Sequence, residues 1–485
     1  MIRLSEVRRE GFAGLTTSFA MVPEVVGFAF VLGVNPRAGL IAAFIVGLIT
    51  ALFGGRPGMI SGGAGSIAVV AVALVAGKGP EFLFLAVALM GVIQIAVGLL
   101  RWGRFISLVP HPVMLGFVNG LAIVIFLAQL EQFKADGHWM MGSPLAIMLG
   151  LVASTIAIAL LAPKVTKAVP GSLIAIVVVS LLSFLLKIPT KSVGDLASMS
   201  GPFPLPHLPS VPYAFETLKI VLPVAITMAA VGLTESLLTL GLVDELTDTQ
   251  GEPDRECVGL GIANVASGLF GGMGGCAMIG QTVLNLQAGG KRRLSGVFEA
   301  LSILAFMLVA AALIERIPIA ALVGVMMVVV YETFAWSSIR RIRKIPLPDA
   351  FVLVLVSAVT VFTNLATAVV AGVIVSALVY AYRQGAQLRV ERRDDAHYIV
   401  DGDIFFGSAQ TFGRAFTAKD DADIVTVDMS QARAQDHSAI QALQSLVERY
   451  ARAGKTLRFT GLTESCDRIV RKAYENLPTS EPADA

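Results

Sequence analysis

The sequence predicts an all-α membrane protein, fourteen transmembrane segments in a 7+7 inverted repeat, followed by a small cytoplasmic α/β domain. Three observations carry this. Of 485 residues 55% are hydrophobic and only 15% charged, with a mean hydropathy of +0.76, outside the range of soluble chains of this length. Apolar stretches recur from Gly11 to Tyr382, and beyond Arg383 the chain turns abruptly polar.

About 20 apolar residues cross roughly 30 Å of hydrocarbon. Segments of that size begin near residues 13, 38, 60, 81, 112, 144, 168, 217, 257, 276, 296, 319, 349 and 367. The first, within Met1 to Phe30, follows Arg3, Arg8 and Arg9 as a signal peptide would. It contains Pro23 and Glu24 and lacks a small-residue cleavage site, so it reads as a membrane helix. The segments at Ile60 and Cys276 are short and leave glycine-rich stretches. They read as half-helices, which persist at membrane depth only when buried in protein or lining a cavity.

Basic residues cluster after even-numbered spans: Arg101 and Arg104, Lys164 and Lys167, Lys291 to Arg293, and Arg340, Arg341, Arg343 and Lys344. The positive-inside rule makes these loops and both termini cytoplasmic, with the basic groups against anionic lipid. The Pro-rich stretch from Lys187 to Pro212 is then an ordered outer loop. The transmembrane domain runs over 1–385 and the soluble domain over 386–485. In the latter, His397 to Phe406, Asp423 to Asp428 and Lys455 to Thr460 read as strands, and Ser438 to Ala453 as an amphipathic helix.

A net charge of +2 gives no field for nucleic acid. Cys257, Cys276 and Cys466 have no spacing that fits disulfides or a metal site. No nucleotide-binding motif is present, so ATP is not the energy source, and nothing points to an enzyme.

Glu24 and Glu235 lie inside apolar runs, in the first and eighth spans. Thirty-nine residues after each comes the glycine-rich start of a half-helix, at Gly63 and Gly274. Leu-Phe-Gly-Gly precedes each, at 52–55 and 269–272. Seven spans separate the copies, and an odd number inverts the second, which is the signature of an inverted-repeat secondary transporter. In that architecture two half-helix N-termini face each other near the midplane and hold an anion with backbone N–H groups and dipole ends. No basic residue occurs from Ile60 to Val75 or from Gly271 to Gly290, as such a site allows. The plainer alternative is glycine for close helix packing.

A carboxylate within a span costs a few kcal/mol and needs a partner or a wet cavity. Glu24 and Glu235 are suited to carry a proton. Glu235 with the Thr239 hydroxyl and the carbonyls of the Gly274 turn also offers hard oxygens to sodium, and the sequence does not choose. A structural hydrogen bond to the neighbouring half-helix is the other use for either acid. His111, between two prolines, reads as a packing residue; Asn119, Gln129 and Gln132 read as helix bridges; Phe28 borders the pocket or packs the core.

The residues resemble the SulP family of anion transporters over essentially the whole length. Pro23-Glu24 with Gly27-Phe28-Ala29, Asn35 to Leu40, Pro110 to Phe117 with Gly120, and Thr282, Asn285, Gly289, Gly290 and Leu294 carry the likeness. The tail resembles a STAS domain through Val400 to Ser408, Val427-Asp428 and Asp436 to Ala439. The resemblance implies fourteen spans in core and gate domains, a homodimer in the bacterial inner membrane, and no cofactor beyond Na+ or H+ as coupling ion. It implies secondary active transport of a small anion, bicarbonate or sulfate first and dicarboxylate next. A nucleobase permease of the same architecture and a membrane sensor signalling through the STAS domain are the rivals.

Site residues follow from the same resemblance. Ser66, Ile67 and Ala68 with Ala277, Met278 and Ile279 would bind substrate beside Phe28, and Glu235, Thr239, Gly275 and Cys276 would couple the cation; Glu24, read from its place in an apolar run, is gating or proton-linked. Ala68 and Ile279 stand where the family has threonine, Gln281 where a basic residue is common, and Glu24 where glutamine is common. Ser438 resembles the phosphorylated serine of bacterial anti-sigma antagonists, or caps its helix.

Overall fold

A computed structural model describes residues 4–103, 110–135, 138–166, 169–196, 201, 203–363 and 365–462. Arg104, Lys167 and Cys466 lie outside them. The chain divides into two compact units, 1–373 and 374–485.

The first unit opens with α1 (Leu4–Leu32), α2 (Pro36–Phe53), the three-residue strand β1 (Ser61–Gly63), α3 (Gly65–Lys78) and α4 (Pro80–Leu99). After α5 (His111–Leu130) come a short hairpin of β2 (Lys134–Ala135) and β3 (His138–Trp139), then α6 (Ser143–Val165), α7 (Gly171–Leu185) and the single turn α8 (Val193–Leu196). The second half repeats the plan. It runs through α9 (Phe215–Thr247), α10 (Pro253–Leu269), β4 (Gly275–Ala277), α11 (Ile279–Gln287) and α12 (Arg293–Val309). Then follow α13 (Ala311–Ile314), α14 (Ile319–Thr333), α15 (Trp336–Arg341), α16 (Leu347–Phe362) and α17 (Leu365–Gly385), which runs across the boundary between the units.

Every expected span meets a helix, or a strand–helix pair, in order. Helices α2, α4, α5, α6, α10 and α16 carry a proline as their first or second residue, whose fixed φ suits a first turn and whose missing N–H would have had no partner there. Among the described residues seven helices are long and apolar enough to cross a membrane. Shorter apolar helices cover Gly65–Lys78, Gly171–Leu185 and Leu347–Phe362. The stretch from Lys187 to Pro212 is tied down where it is described: the Val193 N–H donates to Ile317 O at 2.9 Å and that of His207 to Leu269 O at 2.8 Å.

The halves interlock. From the first, α4 packs on α10 of the second, while α12 of the second packs on α1 and α2. Glycines let α4 and α10 cross closely, for a Cβ on Gly91 would lie 2.5 Å from Gly261 O and one on Gly261 2.6 Å from Gly91 O.

The second unit is a four-stranded sheet in the order β5 (Arg389–Arg392), β6 (His397–Ile404), β7 (Ile424–Ala434), β8 (Thr456–Thr460). The β5–β6 pair is antiparallel and the others parallel, with α18 (Ala409–Arg414) and α19 (His437–Arg452) in the connections. Tyr398, Val400, Phe412, Val427, Leu443 and Phe459 form the centre of its core. The charged run at 389–392 is the one strand the sequence pattern does not reveal, because only Val390 faces inward and the exposed charges guard a sheet edge. Asp421 is buried and accepts from Tyr398 Oη, Tyr450 Oη and Arg392. Burial and that hydrogen bond hold the Tyr450 phenol above its ordinary range.

One expectation is corrected here. Ser438 does not cap α19: Asp436 does, its Oδ1 accepting from Ala439 N at 2.9 Å, and Ser438 is the second helical residue. A carboxylate at the positive end of the helix does that task at least as well as a hydroxyl.

Candidate functional site

The two short strands set the site. β1 and β4 pair antiparallel, Ser61 opposite Ala277 and Gly63 opposite Gly275. Met278 N donates to Ile60 O at 2.9 Å, so in the alternating ladder the 61/277 and 63/275 pairs turn their backbone groups outward. Side chains meet them there. Ala277 N donates to Ser236 Oγ at 2.9 Å, and Asn264 clamps Gly275 from both sides, Oδ1 to N at 2.8 Å and Nδ2 to O at 3.0 Å. Asn264 Nδ2 also reaches Gln94 Oε1 at 2.9 Å.

Because each strand runs straight into a helix, α3 and α11 leave in opposite directions with their N-termini facing the strand pair. The strands set them on the order of 10 Å apart. Neither Ala64 nor Met278 supplies a side-chain cap. The first-turn N–H groups of Gly65, Ser66 and Ile67, and of Ile279, Gly280 and Gln281, have no partner within their own helices and form two positive ends. Phe28 lies against one start, for a Cβ on Gly65 would be 2.5 Å from its ring. At the other, Ile279 is 38% exposed and a Cβ on Gly280 would meet open space. Ser66, Ile67, Ala68, Ala277 and Met278 are buried.

The acids sit beside this turn. Glu235 on α9 accepts from Ser66 Oγ and from Cys276 Sγ, the latter at 3.1 Å, joining both helix starts through one carboxyl. Thr239 is buried next to it on the helix, but its hydroxyl donates to its own turn, the carbonyl of Glu235, at 2.8 Å. Gln281 and Glu332 are both close enough to Glu24 to interact with it. Among the described residues no His, Cys, Asp and Glu cluster could hold a metal.

Of the remaining candidates, Asn119 bridges helices as expected, Nδ2 donating to Ser338 Oγ at 2.8 Å and Oδ1 accepting from Ala335 N at 2.9 Å. His111 is exposed at the first residue of α5. Sequence reasoning missed Asn264, Ser236 and Gln94, and had Thr282 only as a mark of the family likeness; its hydroxyl accepts from Ile60 N at 3.0 Å. The signal was available for Gln94, the one polar residue between Phe82 and Leu99, whereas Ser236 and Thr282 sit among other polar residues.

The family model described as Sulfate permease family matches residues 8–135 and 134–356, and that of the STAS domain residues 387–474. YbaR of Bacillus subtilis (strain 168), by its name a candidate sulfate transporter, is 39% identical over 96% of this chain and 97% of its own. The bicarbonate transporter BicA of Picosynechococcus sp. is 29% identical over 92% and 87%. Among solved structures, the transmembrane domain of a cyanobacterial BicA superposes with a TM-score of 0.68 at 31% identity, over 76% of this chain and 98% of that one. Murine Solute Carrier 26 family member A9 shares the fold at a TM-score of 0.83 and 17% identity, over 97% and 88%. The paired uncapped helix starts, the repeat and these matches converge: the chain belongs to the sulfate permease family, multi-pass membrane transporters of anions rather than enzymes, and carries a C-terminal STAS domain.

Proposed function

We propose that this protein is a secondary active transporter of a small oxyanion, sulfate or bicarbonate, seated between the starts of α3 and α11 and moved together with a cation taken up at Glu235. The observation that carries it is the pair of helix N-termini, without side-chain caps and with no basic residue from Ile60 to Val75 or from Gly271 to Gly290, joined through the carboxyl of Glu235. Two positive ends bind an anion without a buried lysine or arginine, and neutralising Glu235 offsets the charge that the anion brings.

A proton suits Glu235 better than sodium. Cys276 sulfur is a soft neighbour and the Thr239 hydroxyl is engaged with its own helix, which leaves few hard oxygens around the carboxyl. The protein sits in the bacterial inner membrane with both termini cytoplasmic and works as a homodimer. The relatives named for sulfate and bicarbonate support both anions as candidates. Uptake of labelled sulfate and bicarbonate into proteoliposomes, under an imposed proton or sodium gradient, tests this. Proton-driven accumulation of one of them is expected. No flux of either would refute the function, and accumulation driven only by sodium would refute the proton.

A further inference from the structure

Glu299, in the middle of α12, is fully buried, and neither of its carboxyl oxygens has a hydrogen-bond partner among the described residues. An ionised carboxylate cannot stay so. Its surroundings show what it faces. A Cβ built on Gly47 of α2 would lie 2.9 Å from Glu299 Oε2 and 3.0 Å from the Ser61 carbonyl oxygen, so both oxygens flank the space that a side chain at 47 would fill. Ser61 belongs to an outward-turned pair of the β1–β4 ladder, which leaves its carbonyl without a strand partner, and its buried hydroxyl has none either.

The repeat explains the arrangement. Gly47 lies five residues before Leu-Phe-Gly-Gly at 52–55, and Asn264 five before the same tetrapeptide at 269–272. Ser61 and Gly275 are each the first residue of their strand. In the second half Gln94 of α4 meets Asn264, and Asn264 clamps the Gly275 backbone. In the first half the clamp residue is Gly47, and Glu299 of α12 reaches through the opening toward Ser61. Amides satisfy the backbone in one half, whereas in the other a carboxyl oxygen and a carbonyl oxygen border the same small space at Gly47, two acceptors no more than about 6 Å apart with no donor shown between them among the described residues.

We propose that Glu299 is a second proton-binding site of the transporter, distinct from Glu235, whose carboxyl donates its proton to the Ser61 carbonyl and so pins β1. The step is a proton transfer alone. The Oε2–H bond breaks, the proton passes to water, and the carboxylate left behind repels the Ser61 carbonyl, which releases β1 and the start of α3. Among the described residues no other charge holds the group. α12 packs against α1, α2 and α13. On α1, Glu10 is engaged with the N–H groups of Lys291, Arg292 and Ser295, Glu6 pairs with Arg292, and Glu24 lies near Gln281; Arg8 and Arg9 line the first turns with Ser5, Phe12 and Leu15, more than one turn before Gly14, the residue that meets the Glu299 backbone. Arg37 of α2 donates to Gly201 O, and α13 has no titratable residue. Arg293, at the start of α12 itself, holds the carbonyls of Ala51, Leu52 and Gly54.

Infrared difference spectra of the full-length protein against Glu299→Gln test the proposal without needing flux, so they remain decisive even if no anion is carried. At neutral pH the difference is expected to show a carboxylic-acid carbonyl band that disappears in Glu299→Gln and survives in Glu235→Gln. Glu299→Asp, which draws the acid back by one methylene, should shift the band rather than remove it, and serves if the Gln variant fails to assemble. In proteoliposomes Glu299→Gln should move about one proton fewer per cycle than the wild type. Loss of a carboxylate band instead of an acid band, or an unchanged proton count, would overturn it.

Discussion

The hydroxyl of Ser66, second residue of α3, donates to the carboxyl of Glu235 on α9, so a half-helix of one repeat is latched by the acid of the other. Cys276, at the strand before α11, shares that carboxyl. Any change in the charge of Glu235 is therefore felt at both helix starts at once.

Replacing Ser66 by alanine removes a hydrogen bond to a charged group, with a cost of about 1.5–3 kcal/mol, or roughly 10–100-fold in an equilibrium. Concentrative uptake should fall by about that range in Ser66→Ala. In Glu235→Gln it should vanish while anion exchange persists. Full gradient-driven uptake by Glu235→Gln would remove Glu235 from the coupling.

Two glycines near the turn should answer differently to the same methyl group. A Cβ on Gly275 would fall 1.9 Å from the Gly62 carbonyl oxygen, a backbone atom that cannot move aside, so Gly275→Ala should fail to assemble in detergent. At Gly280 the space is open, so Gly280→Ala should keep the wild-type Tm while its methyl intrudes on the anion and raises KM about tenfold. Size-exclusion profiles, thermal melts and uptake kinetics separate the two.

Asn264→Ala strips both partners from the Gly275 backbone and leaves Gln94 without its contact. Each buried orphan costs about 1–3 kcal/mol. The variant should lose several degrees of Tm, whereas Gln129→Ala, at a buried position outside the turn, should lose less.

In the C-terminal unit, Tyr450 makes an alkaline weak point. Its phenol is held above the ordinary value of 10.0 by burial and by its bond to Asp421, so the folded unit keeps the proton that the unfolded chain releases. Stability is then unaffected below that pH and declines as pH rises past it. Protease sensitivity of the tail in the full-length protein should climb above about pH 10. Tyr450→Phe should be about 1 kcal/mol less stable at neutral pH and show a flatter alkaline decline.

The fold was largely legible because membrane spans announce themselves by length and apolarity, and the half-helices by the break that glycine makes at 62–65 and 271–275. Glu24 and Glu235 stood out for the same reason, as charge in an apolar run. What stayed hidden depends on pairing between distant segments. Nothing local says that Asn264 clamps Gly275, that Gln281 meets Glu24, or that Gly47 opens a path for Glu299 to Ser61. Strand β5 was concealed by its charges, and Ser438 yielded its capping place to Asp436, two residues earlier with the better-placed oxygen.

The most direct measurement is a structure of the protein determined with the anion that flux experiments show it carries. Density for the anion is expected within hydrogen-bond distance of the N–H groups of Gly65 to Ile67 and Ile279 to Gln281, beside Phe28. Anion density elsewhere, with the space between the two helix starts empty at saturating concentration, would contradict the account.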